Sequence, residues 1–298
     1  MTSQLSSPFR NLPVTAHHDI YDAISPELYF SSTSTAFRNK IVLVIGASKG
    51  IGLSIATFYA RAGAKLAIVS RSQDTLDEAK ARIVSDISGT EVLAVAADVV
   101  DTKAIEGVVG KVIEKYGKLD IVIANSGITG PWTKSFPEND PINDWWKVLE
   151  VNLRGVYNVA HYVFPHLVKT NGFFIAMSSM VPQRGLPFAS AYAASKVALN
   201  RFIEYAAVEH PTVKSLAFHP GTIQTEGSLA SGQEALKQYM IDTIQLPAAA
   251  ILKLTDGSGR FDWLSGRFIS ANWDLEEIER DHKDEIIKNG LLLTRFIA

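Results

Sequence analysis

"KIVLVIGASKGIG", residues 40–52, decides the fold. An unbroken aliphatic run ends at Gly46, and glycines at 46, 50 and 52 precede the amphipathic run "LSIATFYARAG" (53–63). Strands lacking polar alternation are covered on both faces. Glycines between such a strand and a helix let the backbone approach a pyrophosphate, which the free N–H groups and dipole of the helix N-terminus attract. Alone, the motif also fits a plain tight turn. Its place in the first strand–helix unit favours a bound nucleotide.

The same rhythm continues outward. Apolar runs at 65–70, 91–98, 119–125, 172–179, 213–221 and 266–271 alternate with helical patterns at 50–62, 74–87, 102–116, 142–169 and 190–209. This alternation predicts right-handed crossovers. The expected fold class is α/β: a single Rossmann-type doubly wound, seven-stranded parallel sheet with helices on both faces, spanning residues 40–272. Residues 1–39, rich in Ser, Thr and Pro, read as an N-terminal extension docking through Tyr21, Leu28, Tyr29 and Phe30. Residues 273–298 carry mixed charges at helical spacing and an apolar end, and read as a tail helix on the surface or at a subunit contact.

Composition narrows the function. The 298 residues suffice for one large domain. With 29 basic and 31 acidic side chains the formal charge is −2, which makes no case for nucleic acid or an anionic membrane as partner. There is no cysteine, so disulfides, thiol catalysis and thiolate metal sites are excluded. The seven histidines show no metal-ligand spacing, so no metal is expected. No signal core and no run of about 18 apolar residues appears, and a cytoplasmic protein is expected.

The end of the second strand should meet the adenosine ribose. An acid there selects NAD, whereas a cation accommodates a 2′-phosphate. "AIVSRSQD" places Ser70 in the acidic slot and Arg71 beside it, with Lys49 within reach from the glycine loop; the set predicts NADP(H). Asp98 is placed to accept from the adenine amino group with Val99 against the ring, or to cap the helix starting near Thr102. In "ANSG" (124–127), Asn125 and Gly127 can border adenosine and ribose.

"AYAASKVALN" (191–200) sets Tyr192 and Lys196 one helical turn apart on one face, a plausible acid/base pair. Ser179 ends "FFIAMSS" at the carboxyl edge where such sheets hold ligands. Asn152 sits mid-helix, an unfavourable place unless its side chain has a task.

Taken together, "GASKGIG", "ANSG", Asn152, Ser179, "YAASK" and "HPGTIQT" occur in order over residues 40 to about 271 and resemble the ordinary, non-extended branch of the short-chain dehydrogenase/reductase family. The resemblance implies that Tyr192 is the general acid or base, and that Lys196 holds the nicotinamide ribose and, with oxidised nicotinamide nearby, lowers the phenol's pKa. Ser179 would bond the substrate oxygen, and Asn152 would hold a water linking Lys196 to solvent. It implies nucleotide contacts from Gly46, Ser48, Lys49, Gly50, Ile51 and Gly52. Pro220, Gly221, Ile223 and Thr225 would close over the nicotinamide, and a homodimer or homotetramer would form through the helices carrying the Tyr and the Asn. The overall layout resembles reductases of fungal metabolism.

Two positions depart from the family pattern. Ile45 replaces a threonine that tightens the loop, and Ala124 replaces an asparagine, removing one sheet-stabilising contact. Residues 222–246 fall where the family places a mobile substrate lid. Trp132, Met180, Leu186, Phe188 and Tyr239 are candidate walls for a lipophilic or cyclic small-molecule carbonyl or alcohol; each also fits ordinary core packing. His219 reads as a strand-end hydrogen bonder, and Trp145 and Trp146 as helix packing. A catalytically idle nucleotide sensor is the alternative class, and reduction of an aromatic ring or imine stays open within the enzyme class.

Overall fold

The computed structural model describes residues 12–232 and 234–295. Seven strands form one parallel sheet: β1 (Ile41–Ile45), β2 (Lys65–Ser70), β3 (Val92–Ala96), β4 (Ile121–Ala124), β5 (Phe173–Met177), β6 (Lys214–His219) and β7 (Phe268–Ser270). Their order is β3-β2-β1-β4-β5-β6-β7. Val44 lies beside Ile68 on one side and Ile123 on the other, so the central strands carry the apolar side chains the sequence runs provide. Every residue of β1 and β4 is buried, as a sheet covered on both faces requires.

Helices Gly50–Arg61, Gln73–Asp86 and Gln245–Leu254 pack together on one face; Thr102–Tyr116, Gly155–Thr170 and Ser190–Glu209 pack on the other. The strand order reverses direction at β1 and β4, leaving a crevice beyond their carboxyl ends. The long run expected at 142–169 is not uniformly α-helical. It contains π-helical turns at Pro141–Trp146 and Glu150–Arg154, the latter around Asn152. Widened turns of this kind re-aim a side chain, and apolar periodicity does not signal them.

Residues 1–11 of the expected extension and 296–298 of the expected tail lie outside the described residues. From residue 12 the extension lies on the body. Tyr29 is buried, meets Phe37 edge-on and donates to Asp256 at 2.8 Å, while Phe30 meets Phe58 edge-on. Tyr21 donates to the Trp273 carbonyl at 2.9 Å. Leu28 does not dock: it is 70% exposed, on the solvent side of the single turn whose other face buries Tyr29. The tail buries Leu275, Ile278 and Ile286 and returns along the sheet edge, where Phe268 N donates to the Leu292 carbonyl at 2.9 Å.

Candidate active site

A cavity of about 900 Å³ opens at the carboxyl edge of the sheet. All the expected nucleotide-binding and proton-transfer residues border it except Gly52 and Asn152. Those two stand behind the wall. A Cβ at Gly52 would lie 2.1 Å from the Gly46 carbonyl oxygen, so the third glycine of the loop permits close helix–loop packing.

Gly46 and Gly50 hold φ of +81° and +58°, the left-handed region that favours glycine. Gly46 N and Ala47 N donate to the Val69 carbonyl at 2.7 and 3.1 Å, and Asn125 Nδ2 donates to the Gly46 carbonyl at 2.9 Å. These bonds hold the loop without the threonine that Ile45 replaces. They also supply, from Asn125, the strand-end tie expected to vanish with Ala124. No side chain caps the start of helix Gly50–Arg61, so its first amides stay available to an anion. Cradle, helix start and cavity together fit a dinucleotide diphosphate.

Ser70 ends β2 with its hydroxyl donating to the Ser72 carbonyl at 3.3 Å, and Arg71 is exposed beside it. Lys49 is ion-paired with Glu226, the first residue of the short helix Glu226–Leu229 across the cleft. Asp98 does not cap the following helix. Its carboxylate accepts from Val100 N at 3.1 Å, and Asp101 is the cap, accepting from Ala104 N at 3.0 Å. The Thr225 hydroxyl likewise has a local partner, capping Glu226–Leu229 through Ser228 N at 3.1 Å.

Helix Ser190–Glu209 presents Tyr192 and Lys196 one turn apart. Tyr192 is half-buried, its ring centroid 5.5 Å from that of Trp132, and Ser179, whose Oγ accepts from Val181 N at 3.1 Å, is near enough to its hydroxyl to act on its pKa. Burial pushes the phenol above its ordinary pKa, and Ser179 opposes this. Lys196 is buried, which brings its amine down to about 8, and Nζ donates to the Met177 carbonyl at 2.7 Å.

Asn152 is wholly buried. Oδ1 accepts from Ile128 N at 2.8 Å, and Nδ2 donates to the Ile128 carbonyl at 2.9 Å and to Ser195 Oγ at 3.1 Å. Ser195 Oγ in turn donates to the Tyr192 carbonyl at 2.7 Å. The amide is thus a brace between the β4 loop and the tyrosine helix, with one Oδ1 lone pair left for a water. Sequence reasoning passed over Ser195, although it lies inside "YAASK", and Asp242, which nothing in the sequence marks.

Of the expected walls, Trp132, Met180, Leu186 and Tyr239 border the cavity, and Phe188 does not. Phe188 is 45% exposed, with φ of +65°. Trp145 donates to Ser190 Oγ at 3.1 Å, and Trp146, though exposed, meets the Trp145 ring edge-on. His219 borders the cavity, and its Nδ1 is buried without a partner among the described residues. Burial holds its imidazole down to about 4, with Asp242 opposing and Arg184 adding to the shift. Among the described residues no group of His, Asp and Glu is placed to hold a metal ion, and no helix is long and apolar enough to cross a membrane.

A glycine cradle beside a tyrosine–lysine helix at a switch point defines a dinucleotide-dependent class. The chain belongs to the short-chain dehydrogenase family, whose model matches residues 40–235. It is an oxidoreductase by that membership, with a nicotinamide cofactor. A short chain dehydrogenase of Emericella variicolor, andI, is 34% identical over 294 residues, covering 96% of each chain. A short-chain dehydrogenase/reductase of unknown function from Caenorhabditis elegans, solved with cofactor, superposes with a TM-score of 0.71 at 26% identity, covering 79% of this chain and 94% of that one. The alcohol dehydrogenase of the archaeon Thermococcus sibiricus, complexed with 5-hydroxy-NADP, gives a TM-score of 0.66 at 29% identity, covering 73% and 92%.

Proposed function

We propose that the protein is an NADP(H)-dependent carbonyl reductase or alcohol dehydrogenase acting on a small lipophilic or cyclic compound. One observation carries this reading: Tyr192, Ser179 and Lys196 border the same cavity as the glycine cradle. When bound, the nicotinamide supplies or accepts the hydride. The remaining tasks fall to the chain's own side chains. Ser179 Oγ and the Tyr192 hydroxyl hold the reacting oxygen, where negative charge develops during reduction. Tyr192, pushed up by burial, carries its proton at neutral pH, the form a general acid needs. Lys196, brought down to about 8, remains an ammonium at pH 7 and offers its unused N–H donors toward the ribose side. Asn152 keeps the tyrosine helix and the β4 loop in register.

NADP(H) rather than NAD(H) is favoured by the absence of an acid at Ser70 and by the exposed Arg71. Lys49 can turn from Glu226 to a 2′-phosphate, since both partners of that pair are largely solvated. The archaeal alcohol dehydrogenase similar to this chain was solved with an NADP derivative. Trp132, Met180 and Leu186 supply an apolar lining for the substrate. Exposed Tyr157, Val197, Tyr205 and Val208 on helices Gly155–Thr170 and Ser190–Glu209 suit a homodimer or homotetramer contact. The test is NADPH oxidation by purified protein over ketones, quinones and imines, with product analysis. Alcohols formed from ketones are the expected products; no NADPH consumption across the panel, or amines and ring-reduced products alone, would contradict the reading.

A further inference from the structure

The N-terminal segment is tied to the far end of the chain that covers the cavity and, through Asp242, to the near end. At the far end, Thr243 N donates to the His18 carbonyl at 2.8 Å and Thr243 Oγ1 to Asp19 at 2.6 Å. Next to it, Asp242 is a carboxylate with only 4% of its side chain exposed. A buried carboxylate requires donors. Asp242 has three: His18 Nδ1 at 2.5 Å, Asn272 Nδ2 at 2.9 Å, and the backbone N–H of Thr222 at the near end. Gly221 lies directly against this carboxylate. A Cβ there would stand 2.7 Å from Asp242 Oδ2, and its φ is +100°. Asp242 therefore joins the two ends of segment 222–242, and His18 reaches it from outside the nucleotide-binding sheet.

We propose that His18 and Asp242 are positioning residues, through which the N-terminal segment sets how Pro220–Thr225 lies over the cofactor cavity. The proposal rests on the functional reading above only in taking Pro220–Thr225 to face the nicotinamide. Removing the imidazole leaves a buried carboxylate one donor short. Because the imidazole is half exposed, water can replace it as a donor, but water holds nothing to the N-terminal segment, and Thr222 and Gly221 lose that anchor with it. The neighbouring attachment of Thr15 to Glu277, at 2.6 and 2.8 Å, holds the same segment to the tail without touching Asp242, so it provides the control.

Amide hydrogen exchange and NADPH binding on the full chain test this without turnover, so a protein inactive on every carbonyl tried still answers the question. In His18→Ala, peptides covering residues 220–229 and 240–244 should exchange about tenfold faster, the effect of one lost charge-assisted bond on local opening. Exchange in β1 and β4 should be unchanged, and the Kd for NADPH should rise about fivefold to tenfold. His18→Gln, which keeps a side-chain donor, should recover most of both effects, and Asp242→Asn should reproduce the loosening. Thr15→Ala should leave exchange in 220–229 at the wild-type rate. Unaltered exchange at 220–229 in His18→Ala, or equal acceleration in Thr15→Ala, would overturn the proposal.

Discussion

Lys196 Nζ stands 5.6 Å from the centroid of the Tyr192 ring while donating to the Met177 carbonyl at the end of β5. The amine is thereby fixed between the tyrosine helix and the sheet edge, buried and close to the phenol. That arrangement is unfavourable for folding and useful for an acid/base site, and it leads to the first expectation.

Lys196→Met should abolish activity and leave the fold at least as stable as wild type at pH 7. Burial brings the amine from its ordinary value near 10.5 to about 8, a cost on the order of 3 kcal/mol while the charge is present. Below pH 8 the native and unfolded forms both carry the proton and the full cost applies. Between about 8 and 10.5 only the unfolded form keeps it, so wild-type stability gains with rising pH. The advantage of Lys196→Met in thermal or urea unfolding should thus be largest below pH 8 and fade towards pH 10.5. A variant less stable than wild type throughout would contradict this.

Cofactor choice should respond to charge at the end of β2. Arg71→Asp should lower kcat/KM with NADPH by about 10- to 100-fold, the scale of a lost charge-assisted phosphate contact, and raise it with NADH. Lys49→Ala should produce a smaller loss with NADPH, because its ammonium must first leave Glu226. Steady-state kinetics with both nucleotides measure the ratio; equal kcat/KM values in the wild type would count against the phosphate-reading role.

Gly52→Ala should prevent nucleotide binding. The added methyl would meet the Gly46 carbonyl oxygen and the Asn125 amide, forcing apart the helix and loop that form the cradle. NADPH fluorescence titration should show no saturable binding, with far-ultraviolet circular dichroism retained. Gly110→Ala is the control: nothing lies within 4 Å of a Cβ there, and binding should be unaltered.

Asn152→Ala should lose about 1–3 kcal/mol of stability, since it leaves the half-buried Ile128 N–H and carbonyl without their side-chain partner. Asn152→Asp should lose as much at neutral pH: Oδ1 can still accept from Ile128 N, but the donors to the Ile128 carbonyl and Ser195 are gone. Urea unfolding of both variants checks the brace, and wild-type stability in Asn152→Asp would contradict it.

Much of this was legible in the sequence because it rests on local pattern. The unbroken aliphatic run at 41–45 could only be a covered strand, and glycines after it could only serve a turn or a cradle. Residues lost to sequence reading depend on partners far along the chain. Asp242 looks like any polar loop residue until His18, Asn272 and Thr222 surround it. Leu28 looks like a docking residue because hydrophobicity does not say which side of a single turn faces the core. The π-helical turn at Glu150–Arg154 leaves no mark on apolar spacing, yet it surrounds Asn152.

On the proposed function, the Tyr192 hydroxyl exchanges the proton that accompanies hydride transfer. The most direct measurement is single-turnover NADPH oxidation by wild type and Tyr192→Phe with the best ketone found, alongside NADPH titration of each. Tyr192→Phe should lose about 100- to 10,000-fold in the chemical step, with the Kd for NADPH within about twofold of wild type. Turnover by Tyr192→Phe at the wild-type rate would contradict it.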